Sequence, residues 1–485
     1  MKLPNVLLIN PPLVNGLAFT RESRCQEREE LLATIKPPLT IAYLAAYLKN
    51  YANLEVVEAT INKWNTDDVL GYLHKKHFSP ELIFFPTTTP TIKEDVKAMS
   101  LLKKNYKSLI FGFGPHTSGV PLETMKNFPS LDGSIVGEPE GTILEIVKLF
   151  SSAKKGKVSE KHILHNISGL VYRKGKQIIL NRKRRTYLEL DSLPFPDWDR
   201  LPWKKYILPI FEKNYFLVET SRGCPFGCEF CVVGFSTHGL KYREKSVDRI
   251  LDEIEYLKSK YKVETFNLWA DTFTFSPIFI RKFCQSVKKR KLKFSWFANS
   301  RLDTIRSYQE AKELKKTGCV MLSFGIENPD EAILKEMDKK NQIEETYRVL
   351  SWVQKAGIKT FGFFIYGYPG DNPEKMKRTT SFSLSLPLDF ASYYPAVPLP
   401  GTPFYDKCKR KNILKVDDWS KMEYSWYILD DGILNQNNVM KERARAYFMF
   451  YLRPKIIFGI IKEIRSPFTL MKVMARGLNL LWWVK

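Results

Sequence analysis

Short apolar runs that alternate with stretches of helical period constrain this chain more than any other feature of it. Val6-Leu-Leu-Ile9 is the first, closed at once by Asn10-Pro11-Pro12, and further runs lie at 55–59, 82–85, 109–113 and 133–136. A run of this length stopped by turn formers reads as a strand buried on both faces. Pro37-Pro38 opens a helix over 39–49, because proline is preformed for the first helical turn. Buried strands separated by helices make a parallel, doubly wound sheet, so residues 1–150 are expected to be α/β and Rossmann-like. Ligands of such sheets sit at the carboxyl ends of the strands. Here those ends carry Asn10, Thr87-Thr88-Thr89, Gly112-Phe-Gly114-Pro115 and Gly137-Glu138, small and hydroxyl residues that let a large ligand approach the backbone.

Residues 151–210 differ in character. The stretch 151–160 is small and polar, and 191–203 is rich in proline and tryptophan. Between them, β-prone runs flank Lys174-Gly175-Lys176 in the manner of a hairpin. The segment reads as a linker between domains. Alternation resumes at Tyr215, with strands expected at 216–220, 265–269, 294–297, 320–325, 360–366 and 390–397. Val247, Ile250, Leu251, Ile254 and Leu257 form one helical stripe behind Ser246 as N-cap. Ser307 to Glu310 forms a capping box for a helix that ends at Gly318. Six strands with intervening helices point to a partial (β/α)6 barrel over 211–415, its site at the strand carboxyl ends. A helical, basic segment, 416–485, completes the chain.

The composition is that of a globular protein. The formal charge of +24 invites an anionic partner or simply gives solubility. No recognised nucleic-acid-binding motif accompanies it, so nucleic acid is not expected. The start lacks a signal peptide's basic end, long apolar stretch and cleavage site, and no stretch reaches the roughly 20 apolar residues of a membrane span, so a cytoplasmic protein is expected. Seven cysteines, thinly spread, do not make a disulfide scaffold.

Three of them crowd into Cys224-Pro-Phe-Gly-Cys228-Glu-Phe-Cys231, directly after the strand expected at 216–220. Thiolates on such a loop converge on one iron–sulfur cluster, and three ligands leave one iron of a [4Fe–4S] cube open. Structural zinc wants four ligands, and Cys25, Cys284, Cys319 and Cys408 stand isolated. A disulfide with a spare thiol does not suit a reducing compartment.

CxxxCxxC with an aromatic before its last cysteine, at the end of a first barrel strand, resembles the radical S-adenosylmethionine (SAM) superfamily. The resemblance implies that Cys224, Cys228 and Cys231 hold the [4Fe–4S] cluster, that SAM chelates the free iron, and that Phe230 lies by the adenine. It places Asp271 of Ala270-Asp-Thr-Phe273 at the methionine amino group, with Ala270 where an acid is expected. Asn299-Ser-Arg301 and Gly325-Ile-Glu327 fall where relatives hold the cofactor's carboxylate or ribose. Gly367-Tyr-Pro-Gly370 resembles the family's glycine turn near adenine, with Asp371 where Glu is usual, and Pro398 to Pro403 matches the sixth-strand exit.

The leading domain is similar to the cobalamin-binding domain of one large branch of that superfamily. Leu8 to Pro12, Pro37-Pro-Leu-Thr-Ile-Ala-Tyr-Leu, Gly112-Phe-Gly-Pro-His116 and Val136-Gly-Glu-Pro-Glu140 carry the likeness, and Pro194-Phe-Pro-Asp-Trp-Asp199 resembles the branch's interdomain linker. An Asp-x-His-x-x-Gly loop is missing, so His116 reads as a loop residue and not as a cobalt ligand. As cobalamin-site residues the resemblance implies Asn10, Thr87, Thr88, Gly112, Gly114, Gly137 and Glu138.

The implied activity is that of an enzyme. SAM is cleaved to a 5′-deoxyadenosyl radical at the cluster, an external low-potential donor supplies the electron, and an unactivated carbon of a small or lipid-like substrate is methylated with cobalamin. A radical cyclase or carbon–carbon-coupling enzyme is the alternative, and a cobalamin-binding regulatory module the alternative of another class. The C-terminal segment bears on the substrate. Between Lys441 and Lys485 stand ten Lys/Arg against two Glu, Ile456, Ile457, Ile460, Ile461 and Ile464 form a stripe, and Leu480-Leu-Trp-Trp483 ends the chain. Such a segment suits either a membrane surface or a cap on the barrel mouth.

Overall fold

The computed structural model describes residues 3–29, 35–153, 164–184, 187–208, 212–236, 238–416 and 418–463. Five parallel strands open the chain: β1 (Asn5–Asn10), β2 (Asn53–Glu58), β3 (Leu82–Pro86), β4 (Leu109–Phe113) and β5 (Gly133–Ile135). They lie in the order β2-β1-β3-β4-β5, with helices Leu39–Leu48 and Pro139–Ala153 on one face and Ile92–Tyr106 on the other. Val6, Leu8, Leu82, Phe84 and Phe111 face one core while Leu7, Ile9, Ile83, Phe85 and Ile110 face the other, which is why these strands read as continuous apolar runs.

The hairpin read within the linker forms as β6 (Leu170–Lys174) and β7 (Gln177–Leu180). It belongs to the first sheet, because β6 runs antiparallel along β5. Only the segment after it crosses to the second unit, and it is packed. Trp198 is fully buried with its ring 5.1 Å from Phe216, Arg249 stacks 3.8 Å over Phe195, and Asp197 N–H donates to Ala42.

The second unit is six parallel strands in sequential order: β8 (Phe216–Glu219), β9 (Thr265–Trp269), β10 (Ser295–Ser300), β11 (Cys319–Glu327), β12 (Lys359–Tyr366) and β13 (Phe390–Pro395). β8 and β13 are the two edges, so the barrel is open between them. Its capped helices form, Ser246 accepting from Arg249 N–H and Ser307 from Glu310 N–H. The capping box expected at Ser307 is half made, because the Glu310 carboxylate accepts from Arg306 N–H instead.

The chain beyond the barrel covers the β13 edge. Arg443, Tyr447 and Tyr451 stand four residues apart on the helix Gln436–Tyr451. Tyr451 Oη accepts from Ala391 N–H and donates to its carbonyl, Tyr447 Oη accepts from Tyr393 N–H, and Arg443 Nε donates to Tyr393 O. An exposed edge strand is thereby satisfied without a seventh strand. On the helix Pro454–Glu463, Ile456 is buried and Ile460 packs on the core, whereas Ile457, Phe458 and Ile461 face outward. Ile464, Arg465 and the terminal tryptophans lie outside the described residues. No described helix is long and apolar enough to cross a membrane.

Burial lifts the Glu58 carboxyl to about 7 although Ile61 N–H and Asn10 donate to it, and lifts Glu22 to about 7 against donation from Thr40. An unfolded glutamate titrates at about 4.3. The folded state therefore keeps protons that the unfolded state has released, and stability is full below about pH 4 and falls as pH rises through about 7. Denaturant midpoints are expected to decrease from pH 5 to pH 8, and Glu58→Gln to flatten that slope.

Candidate functional site

Cys224, Cys228 and Cys231 follow β8 on a loop and line one cavity of about 420 Å³ inside and above the barrel. Backbone conformation demands Gly223, with φ 88°, where a Cβ would collide with the Lys241 carbonyl. Gly223 N–H donates to Asp271 Oδ2 at 3.0 Å, which ties the loop to the end of β9. Cys231 N–H donates to Cys228 O, and Glu229 N–H to Met337 O. Among the described residues no three His, Cys, Asp or Glu side chains converge on a single-ion position. Thiols that each face one cavity suit a cube, in which every thiolate meets a different iron.

Two guanidinium groups stand beside these thiols. Arg301 Nη1 lies 3.7 Å from Cys228 Sγ and its plane 3.6 Å over the Phe226 ring, with Asp303 holding it bidentately at 2.9 Å. Arg24, from the long loop after β1, donates to Asp271 O at 2.9 Å. Burial pushes the Cys231 thiol up to about 12 and raises Cys228, while Arg24 acts against the first shift, and Lys339 and Arg301 against the second. Burial also opposes ionisation of Asp271, yet His238, Arg24 and the Gly223 amide hold it below the usual carboxylate range.

Phe230, Asp271, Asn299, Arg301 and Glu327, the residues that the resemblance assigns to SAM, all line the cavity. Glu327 adopts φ 69°, past a bulge in the β11–β12 pairing, and its carboxylate meets Lys339 at 3.0 Å. A non-glycine residue in that region costs about 1–3 kcal/mol, and such strain collects at functional sites. Gly367 is placed elsewhere. The Tyr427 ring packs over it, Tyr427 Oη donates to its carbonyl, and Asp371 caps its amide at 2.9 Å.

The first-domain residues divide. Thr87 Oγ1 donates to Phe113 O and meets Thr117, Thr88 bonds Thr91, and Gly112 and Gly114 pack directly on Thr87, so these four close the strand ends. Gly137 N–H donates to Ser118. Glu138 is a contact between the units: with Glu140 it clamps Arg222, at 2.9 and 2.7 Å, and it also meets Arg243. Glu219 completes the set around Arg222 at 2.8 Å, and all four side chains are buried. Asn10 Oδ1, Gln26 Nε2 and His116 Nε2 are buried at the same edge with no partner among the described residues. Gln26 and His116 both bond Thr89, and Trp419 lies edge-on to His116 at 4.5 Å. Sequence reasoning gave no site role to Arg24, Arg222 or Glu140, although Glu140 ends one of the segments that carry the first domain's likeness. Arg222 has one sequence signal, its place two residues before Cys224.

Residues 218–382 match the radical SAM superfamily model. The stretch 218–382 is therefore a radical SAM domain. The whole chain is 28% identical over 465 residues to an uncharacterized methyltransferase of Pyrococcus horikoshii, covering 96% of each chain. It is 25% identical over 422 residues to an anaerobic magnesium-protoporphyrin IX monomethyl ester cyclase of Rubrivivax gelatinosus, covering 86% of this chain and 74% of that one. A solved structure of the cobalamin-dependent SAM radical enzyme OxsB, with aqua-cobalamin and SAM bound, shares its fold at TM-score 0.72 and 16% identity over 99% of this chain and 72% of that one.

Breaking one side of a buried charge cluster leaves an uncompensated ion, at a cost of about 3–5 kcal/mol. Arg222→Ala, which takes away the guanidinium that Glu140 pairs with, is expected to lose that much in urea unfolding. Removing the exposed Lys316–Glu313 pair, 2.7 Å apart, is expected to change stability by about 1 kcal/mol at most.

Proposed function

We propose that this radical SAM enzyme is a cobalamin-dependent C-methyltransferase acting on an unactivated carbon of a hydrophobic substrate. The observation that carries the reading is the placement of three thiols on one loop, in a cavity whose remaining wall is mostly aromatic and aliphatic. The residues fit the groups the reading requires. Cys224, Cys228 and Cys231 would hold the cluster, and Asp271, Asn299, Arg301 and Glu327, which line the same cavity, would contact SAM. The unpartnered Asn10, Gln26 and His116 atoms at the first-sheet edge suit the amide-fringed rim of cobalamin. When bound, the cluster with SAM supplies a radical that takes a hydrogen atom from carbon, and cobalamin supplies the methyl group.

The chain's own residues do the rest. Arg24 and Arg301 offset thiolate charge, Asp271 fixes the loop through the Gly223 amide, and the apolar wall keeps water from the reacting carbon. An external low-potential donor and a cytoplasmic setting belong to this reading. Exposed Ile457, Phe458 and Ile461 support peripheral contact with an anionic membrane surface, which would admit a lipid-like substrate.

The test is anaerobic reconstitution followed by incubation with SAM labelled in its methyl group and candidate apolar substrates. Wild type is expected to carry about four iron per chain and to transfer label, and Cys228→Ala to lose both. Bound zinc, or no metal, overturns the reading. Sustained 5′-deoxyadenosine without label transfer assigns the chain to the cyclase alternative instead. For the membrane contact, replacing Ile457, Phe458 and Ile461 by serine is expected to abolish co-sedimentation with anionic vesicles.

A further inference from the structure

The wall of the barrel cavity is split by chemistry. On β9 to β11 it is small and polar. Asn267 faces the cavity from β9, and Asn299 and Ser323 stand side by side in the β10–β11 register. A filled barrel carries bulky branched side chains at such positions. These residues neither fill the space nor satisfy one another, and Asn267 Oδ1 is buried without a hydrogen-bond partner.

On β12 and β13 the wall is a continuous aromatic face. Phe361 lies 4.9 Å from Phe363 and 6.0 Å from Phe390, and Phe363 lies 6.1 Å from Tyr394. Rings spaced in this way present a broad apolar surface with π-faces open to stacking.

The charges of the cavity are already matched. Arg24 pairs with Asp271, Lys36 with Glu27, Arg301 with Asp303 and Lys339 with Glu327. An ionised substrate group would find no unpaired counter-charge among these residues and would lose its hydration shell on entry.

We propose that the barrel interior binds a flat, unsaturated, uncharged molecule that carries a hydrogen-bond donor. Its face lies on the Phe361–Phe363–Phe390–Tyr394 surface, its donor meets Asn267 Oδ1, and its reacting carbon faces the three thiols. The inference rests on the radical reading for the fate of that carbon, but the binding itself does not need the radical.

Three naphthalenes serve as probes in equilibrium dialysis against the full chain with its cluster reconstituted. 2-Naphthol has a donor, 2-methoxynaphthalene has none, and naphthalene-2-carboxylate is ionised. 2-Naphthol is expected to bind at least about tenfold more tightly than the methyl ether, the equivalent of roughly 1.4 kcal/mol. The carboxylate is expected to show no saturable binding. Asn267→Leu should erase the preference while leaving iron content and the low-temperature resonance of the reduced cluster as in wild type, and Phe361→Ala should weaken both neutral probes. Equal binding of all three probes, tightest binding of the carboxylate, or a preference that survives Asn267→Leu overturns the proposal. The wild-type comparison needs no variant to fold. A protein that binds 2-naphthol selectively but holds no cluster would sink the radical reading alone.

Discussion

The guanidinium of Arg222 lies between Glu138, Glu140 and Glu219, out of contact with water. Two of those carboxylates come from the first unit, Glu138 from the turn after β5 and Glu140 from the first turn of the helix Pro139–Ala153, and Arg222 itself comes from the strand end that leads into Cys224. Buried charge is tolerated where each ion has its partners, so the two units are held to one relative position wherever this cluster is intact. Lys245 repeats the pattern a few residues on, bonded to Tyr43 of the first unit and close to Glu219 and Glu253. On the other flank, Arg24 reaches across to Asp271, whose carboxylate accepts the Gly223 amide. The cysteine loop is thus braced from both sides by residues that a lone barrel would lack.

That bracing explains how an open barrel encloses a site. β8 and β13 do not meet, and the residues that line the cavity outside the six strands include Arg24, Cys25, Glu27 and Lys36 of the first unit and Tyr424 of the C-terminal segment. Tyr424 continues the aromatic face of β13, 4.7 Å from Tyr394. The first unit therefore serves as part of the barrel's wall as well as a domain with an edge of its own.

The strands of the first unit were legible in the sequence because each is a buried apolar run, and burial on two faces leaves little else for such a run to do. The cysteine loop was legible because its spacing is local. What the sequence hid is contact between distant positions. Glu138 sits at a strand end in the manner of a ligand residue, and only the fold shows that its partners lie at Arg222 and Arg243. Gly367 has the turn expected of it, but Tyr427, 60 residues on, covers that turn. The hairpin of β6 and β7 was visible as a hairpin, whereas its sheet was not, because pairing with β5 leaves no local signature. The fourfold spacing of Arg443, Tyr447 and Tyr451 was present throughout, and it reads as one helix face without showing that β13 lies under it.

The carboxyl edge of the first sheet carries two demands that compete for the same residues. Glu138 is engaged in holding the units together, and Thr87 in locking β3 to β4 through Gly112 and Gly114, so neither is at liberty to bind. The atoms left without partners are on Asn10, Gln26 and His116, and two of those residues bond Thr89. Burial pushes His116 down to about 3, so near neutral pH it is uncharged and offers hydrogen bonding without charge. Its ring touches Trp419, and Gly119 nearby packs against Pro400 and Gly401 at the barrel exit. Anything that engages His116 would therefore lie beside the packing that joins this edge to the rest of the chain, Trp419 at its ring and Pro400 and Gly401 at Gly119.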